Sequence, residues 1–289
     1  MNDEFFLTHS PVLLVLIGLL SLTVGSFLNV VIHRLPLMLQ TEWRIECRNL
    51  LQQIQVDEKK INLFFPRSFC PGCNHLIHAW QNIPLISYIL LRGRCHHCKS
   101  TISLRYPIVE ILSMMGGVLA AWHFGFTITL LFALLFVWLI ICLCFIDLEH
   151  QLLPDSLSLS LLWLGLLVNT KSLFTSLPDA VFSAAGAYLS LWIIIKLFYL
   201  CTGKIGMGNG DFKLFAALGA WFGWMQLPII LMLSSISGAI IGIIYLKNSK
   251  QTYRTPIPFG PFLCVSGLIV LFYGRAIINV YIALNAIAL

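Results

Sequence analysis

Uninterrupted apolar runs, not alternating apolar and polar positions, dominate the chain from residue 11 to its end. Several runs reach about 20 residues, the length a helix needs to cross a hydrocarbon core of roughly 30 Å. Lipid offers no partner to backbone N–H and C=O groups, so spanning elements are helices or a closed barrel. A barrel needs short alternating segments, which these runs are not. Helices are expected over 11–32, 105–123, 126–146, 156–169, 179–200, 211–225, 227–246 and 258–273. The segments 156–169 and 211–225 are short for a span, and their ends are expected to reach into neighbouring residues. Residues 276–289 either extend the last helix or add a ninth segment, and eight spans is the favoured count. The first run is expected to be a retained helix and not a cleaved signal. Asp3 and Glu4 precede it without any Lys or Arg, and no small-residue cleavage site follows.

One long polar stretch, 33–104, breaks this pattern. The expected fold class is therefore an all-α polytopic membrane protein of about eight transmembrane helices, with a small insert between helices 1 and 2. Its organisation is a first transmembrane helix (1–32), the insert (33–104) and a membrane domain carrying the candidate chemistry (105–289). Inside the insert, Leu39, Trp43, Cys47, Leu50 and Ile54 recur at helical spacing, which predicts an amphipathic helix. That helix either packs on the insert or lies on the membrane surface, and simple packing is the favoured reading. Beyond it stand Cys70-Pro-Gly-Cys73 and Cys95-His-His-Cys98, with 21 residues between the pairs. Paired C-x2-C knuckles offer four thiolates in the tetrahedron that zinc prefers, so a structural zinc site of Cys70, Cys73, Cys95 and Cys98 is expected. His75, His78, His96 and His97 lie nearby, but four cysteines already fill such a site.

Composition agrees: 58% of residues are hydrophobic and 10% charged, far from the quarter charged of an ordinary soluble domain. Counting Lys and Arg by loop parity puts sixteen on the side of the insert and two, Lys171 and Arg275, on the other. The rule that basic loops stay in the cytoplasm then places the insert inside and the N-terminus in the periplasm. A reducing cytoplasm disfavours disulfides between the knuckles. The net charge of +6 fits a basic face against anionic lipid and calls for no nucleic acid.

Ionisable groups in membrane helices are costly and become functional candidates. Asp155 and Asp179 each follow a proline at a helix start, an arrangement that predicts N-capping. Glu110, Asp147 and Asp211 remain, beside Glu149. Asp147 ends the third helix and Asp211 opens the sixth, after the loop Gly206-Met-Gly-Asn-Gly210. Parity sets both at one membrane boundary, as an acid–base pair requires. Like charges held close cannot both ionise, so one keeps a proton while the other activates water. Gly208 and Gly210 carry no side chain and let backbone approach a bound peptide. The glycine run is not a P-loop, because no Lys-Ser/Thr follows it and it joins two membrane helices.

These pieces resemble the type IV prepilin peptidases, membrane aspartic proteases of the Gly-x-Gly-Asp class. The resemblance rests on Gly25-Ser-Phe-Leu-Asn-Val-Val-Ile-His-Arg-Leu-Pro36, the cysteine knuckles and Arg105-Tyr-Pro-Ile-Val-Glu110. It rests as well on Asp147-Leu-Glu-His-Gln-Leu-Leu-Pro-Asp155 and Gly208-Asn-Gly-Asp-Phe-Lys213. It implies that Asp147 and Asp211 are the catalytic aspartates, with Asp155 and Lys213 in supporting places. It implies an inner-membrane endopeptidase that removes basic leader peptides from type IV prepilins and type II secretion pseudopilins at the cytoplasmic face. It also implies N-methylation of the exposed residue with S-adenosylmethionine as methyl donor, in members that carry this cysteine-bearing insert. The residues themselves do not disclose an S-adenosylmethionine pocket, since no Gly-x-Gly-x-x-Gly follows a strand. Glu110 stands equally as a helper of either activity or as a buried structural acid.

Two other classes compete. A proton-coupled transporter with a zinc-bound loop would use the same acids, but no inverted repeat of broken helices is evident. A zinc-bearing assembly scaffold would leave the paired aspartates without a role.

Overall fold

The computed structural model describes residues 11–52, 62–65, 67–70, 72–204, 206–248 and 258–287. Ile54, Asp57, Glu58, Asp3 and Glu4 lie outside them. Among the described residues the elements are helical, with two isolated antiparallel bridges in the insert. The helices are α1 (Pro11–Leu50), α2 (Ile86–Leu90), α3 (Arg105–Phe124), α4 (Ile128–His150), α5 (Asp155–Asn169), α6 (Leu177–Thr202), α7 (Asn209–Phe222), α8 (Leu227–Asn248) and α9 (Gly260–Ile287). Six of them, α1, α3, α4, α6, α8 and α9, are long and apolar enough to cross a membrane. The chain is a multipass membrane protein. Residues 276–287 continue α9 without a break, so no separate segment starts there.

Three differences from the sequence expectations have physical causes. The first helix does not end at Ile32 with a second helix starting at Leu39; α1 runs on through Pro36 to Leu50. Proline interrupts one helical hydrogen bond but its fixed φ does not forbid helix, and forty residues reach about 60 Å. The two short helices do not lengthen into full spans. Pro154 marks the start of α5, and α7 stops at Gly223, whose φ of 77° is left-handed. At about 21 Å, α7 is shorter than a hydrocarbon core, and it is buried along nearly its whole length. It is a core helix, wrapped by its neighbours. Finally, Asp155 and Asp179 are not N-caps. Pro154 and Ser176 occupy those positions, and the Ser176 hydroxyl accepts from the Asp179 N–H.

Two units, residues 1–142 and 143–289, make up the chain. In the first, α1 and α3 cross on small residues. A Cβ on Gly25 would lie 2.9 Å from the Glu110 Cα and the Ser113 Cβ, and one on Gly18 would lie 3.2 Å from Val118. Small residues allow this approach where lipid supplies no hydrophobic drive. Asn29 donates to the Tyr106 carbonyl at 3.0 Å, and Arg34 to the Asn62 and Leu63 carbonyls at 3.0 and 3.2 Å. In the second unit α7 packs against α5 and α6. The Ser183 hydroxyl donates to the Gly219 carbonyl at 2.8 Å, and the Trp221 indole N–H to Leu161 at 2.8 Å. Asn169 donates to Ala220 and Trp221 and accepts from Phe174 and Thr175, tying off the C-terminal end of α7. The opposite end of α7 carries Asp211.

Candidate active site and metal centre

Asp147 sits in the last turn of α4 and Asp211 in the first turn of α7, both in the second unit and both buried. The structure brings the two near each other: one side chain, Leu153, packs both on Gly260, which lies against Asp147, and on Gly210, the residue before Asp211. A glycine lies against each, Gly260 against Asp147 and Gly208 beside Asp211. Among the described residues Asp211 Oδ1 has no hydrogen-bond partner. A buried carboxylate oxygen left open is costly, and a substrate or water proton would satisfy it.

Glycine is required around this pair for space. A Cβ on Gly260 would stand 2.5 Å from Asp147 Oδ2, and one on Gly210 2.8 Å from the Leu153 Cβ. The Leu153 side chain lies against both, with its Cδ1 3.2 Å from the Gly260 position and 3.3 Å from the Gly210 position. Leu153 is thus a wedge between the glycines that border the two aspartates. Gly208 is the N-cap of α7 in extended conformation, and its Cβ would meet only Asp211 Oδ2, at 3.7 Å. Sequence reasoning missed Gly260 and Leu153; the punctuation Pro258-Phe-Gly-Pro261 before α9 was the available signal.

Asp155 and Lys213, expected as supporting residues, meet directly. The Lys213 ammonium lies 2.6 and 2.7 Å from the two carboxylate oxygens of Asp155 and joins the start of α5 to the first turn of α7. Glu110 is not near them in sequence or unit; it is buried on α3 and accepts from the Leu85 N–H at 2.8 Å. Leu85 holds a left-handed φ of 57°, so the carboxylate secures a strained turn between the insert and the membrane helices.

The four insert cysteines also converge. Their Sγ atoms all lie within 4.8 Å of one another, with Cys70 and Cys98 at 3.8 Å. Tetrahedral zinc with bonds near 2.3 Å would set its sulfurs about 3.8 Å apart, so the donor set fits a metal ion. The two knuckles share one construction. Cys70 N–H donates to His75 and Cys95 N–H to Ser100, at 2.9 and 2.8 Å. Asn74 and Lys99, each the residue after a knuckle, have left-handed φ of 55° and 60° and donate back to Cys70 and Cys95. Bridges Phe69–Leu76 and Arg94–Thr101 close both turns at equivalent positions. Ser100, which sequence reasoning passed over, lies 3.1 Å from Cys98 Sγ and 3.7 Å from Cys70 Sγ.

The thiols pull against each other. Burial opposes ionisation of Cys70, yet the Gly72 N–H and the Ser100 hydroxyl bring it down to about 6. Cys73 accepts from the His75 N–H, but burial and the other three thiols push it up to about 11. A bound cation would allow four thiolates to share this space.

The sequence is similar to those of known proteins. Residues 19–124 match the bacterial peptidase A24 N-terminal domain, and residues 133–243 match the type IV leader peptidase family. A prepilin leader peptidase/N-methyltransferase of Legionella pneumophila is 61% identical over 98% of this chain and 99% of its own. Proteins of the same name from Stutzerimonas stutzeri and Pseudomonas aeruginosa are 50% and 49% identical. They cover 98% and 96% of this chain, and 98% and 97% of their own lengths. No solved structure matches the chain significantly.

Proposed function

Since the chain belongs to the type IV leader peptidase family, we infer that it is a prepilin leader peptidase and N-methyltransferase of the bacterial inner membrane. The observation that carries the peptidase assignment is the buried Asp147–Asp211 pair, on two helices, bordered by glycines and with a gap beside Gly208. One carboxylate takes a proton from water as the water attacks the scissile carbonyl. The other, protonated, stabilises the developing oxyanion and then passes its proton to the leaving amine. Burial excludes competing water and strengthens these interactions. The transporter reading loses its support, since relatives of this length and identity are named as enzymes.

Substrates are prepilins and the related pseudopilins of type II secretion, cut at the cytoplasmic face. The sixteen-to-two distribution of basic residues supports that orientation, with the N-terminus periplasmic and 33–104 as a cytoplasmic insert. Cys70, Cys73, Cys95 and Cys98 would hold zinc as a closed structural site, because four thiolates leave no position for a reacting water. S-adenosylmethionine supplies an electrophilic methyl group to the new N-terminal amine. Among the described residues no strand or Gly-x-Gly-x-x-Gly turn offers it a nucleotide cradle, so no residue here is given a role in that transfer. Mass spectrometry of a prepilin incubated with the purified protein tests both activities: leader loss without S-adenosylmethionine, and a further methyl group with it. An intact prepilin in both reactions would refute the assignment.

A further inference from the structure

The insert carries a small apolar face that no other described part of the protein covers. In α2, Ile86, Ile89 and Leu90 stand at helical spacing on one face and are 54%, 71% and 70% exposed. Tyr88 lies on the opposite face and donates to the Ile102 carbonyl at 3.4 Å, just ahead of the start of α3. That side of α2 is held toward the protein, and the apolar face points away from it.

Depth decides what covers this face. α3 has 20 residues and thus about 30 Å of length, enough for a hydrocarbon core with nothing to spare. Glu110 stands about 7.5 Å along the axis from the start of that helix. The Leu85 N–H, at the N-cap of α2, donates to the Glu110 carboxylate at 2.8 Å. The bond ties α2 to the stretch of α3 that carries Ile108 and Ile111, whose exposed side chains meet lipid. Directly after α2 come Arg92 and Arg94, both exposed. An apolar helix face with arginines beside it suits the boundary between acyl chains and anionic headgroups.

We propose that α2 is an interfacial anchor: Ile86, Ile89 and Leu90 sit among the outer acyl segments of the bilayer, and Arg92 and Arg94 bind the phosphates of anionic lipid. Another protein chain would have to displace lipid at that depth, so the bilayer is the occupant. The anchor holds the second cysteine knuckle, which begins at Cys95 beside these arginines, at the membrane surface.

The test uses the full chain in bilayers of equal phosphatidylcholine and phosphatidylglycerol that also hold a prepilin. A photoactivatable benzophenone side chain is introduced at Ile89, at the neighbouring Leu90 as an independent reading, or at Glu46 as a control. Glu46 lies about 25 Å along α1 from Asn29, which bonds to the Tyr106 carbonyl at the start of α3, so it stands well outside the bilayer. On illumination Ile89 and Leu90 should give lipid adducts by mass spectrometry. Glu46 should give roughly tenfold fewer, because interfacial insertion is confined to the outermost ~10 Å. Phosphatidylglycerol should be enriched in the adducts roughly fivefold, the scale of one basic side chain at an anionic surface. Changing both Arg92→Gln and Arg94→Gln should return the two lipids to equal labelling. Adducts with the prepilin or a second copy of the chain in place of lipid would overturn the proposal. Equal lipid labelling at Ile89 and Glu46, or an enrichment that survives loss of both arginines, would overturn it as well.

Discussion

Gly260, the first residue of α9, lies against Asp147 so closely that a Cβ on it would stand 2.5 Å from the carboxylate Oδ2. The start of the last helix therefore fixes a side chain from the end of α4, and the position admits only glycine. Gly260→Ala should lower kcat for leader removal by about 100-fold, the scale of an ångström-sized misplacement in a positioned site. Thermal unfolding in detergent, unchanged within a few degrees, would show that the loss is local. Near-normal cleavage by this variant would remove Gly260 from the site.

The four-cysteine cluster predicts one zinc per chain. Changing Cys70 and Cys73 to Ser should abolish metal binding and loosen the insert, seen as zinc loss by elemental analysis and faster proteolysis between residues 62 and 104. Protein purified without chelator and found free of zinc would contradict the assignment. The leader-peptidase step, whose aspartates lie in the other unit, should tolerate the change better than methylation does.

Asp155 is expected to matter little. Its carboxylate pairs with Lys213 but is 60% exposed, and exposed ion pairs contribute about 1 kcal/mol or less. Asp155→Asn and Lys213→Met should each reduce activity by no more than about fivefold, with the effect shrinking at high salt. A far larger loss in kcat, insensitive to salt, would give the pair a direct part in catalysis.

Much of this architecture was legible in the sequence, and the parts that were not share a cause. Continuous apolar runs marked the six long helices because lipid demands them, while the two shorter runs, expected to reach spanning length, became the short helices α5 and α7. The knuckle spacing marked the cysteine cluster, and the unpaired acids at helix ends marked Asp147 and Asp211. What escaped depends on tertiary neighbours. The burial of α7 excuses it from spanning length, and only packing reveals that. Asp155 looked like a cap until Lys213, 58 positions away, was seen to reach it. Gly260 and Leu153 carry no chemistry of their own and become informative only through what they touch.

Orientation can be read in intact cells. A single cysteine introduced at Asp57 should resist an impermeant periplasmic thiol reagent, while one at Ser172, beside Lys171, should react. The reverse pattern would invert the topology that the basic residues indicate.

The most direct measurement of the central claim is leader release by Asp147→Asn and Asp211→Asn enzymes. A single prepilin is used in detergent micelles, and the products are weighed by mass spectrometry with S-adenosylmethionine present. Both variants should leave the prepilin uncut, since neither remaining carboxylate can both accept and donate the proton. Both should still methylate a pilin supplied already cleaved, which shows that the protein is folded. Leader removal at a near-normal rate by either variant would contradict the aspartate pair as the catalytic centre.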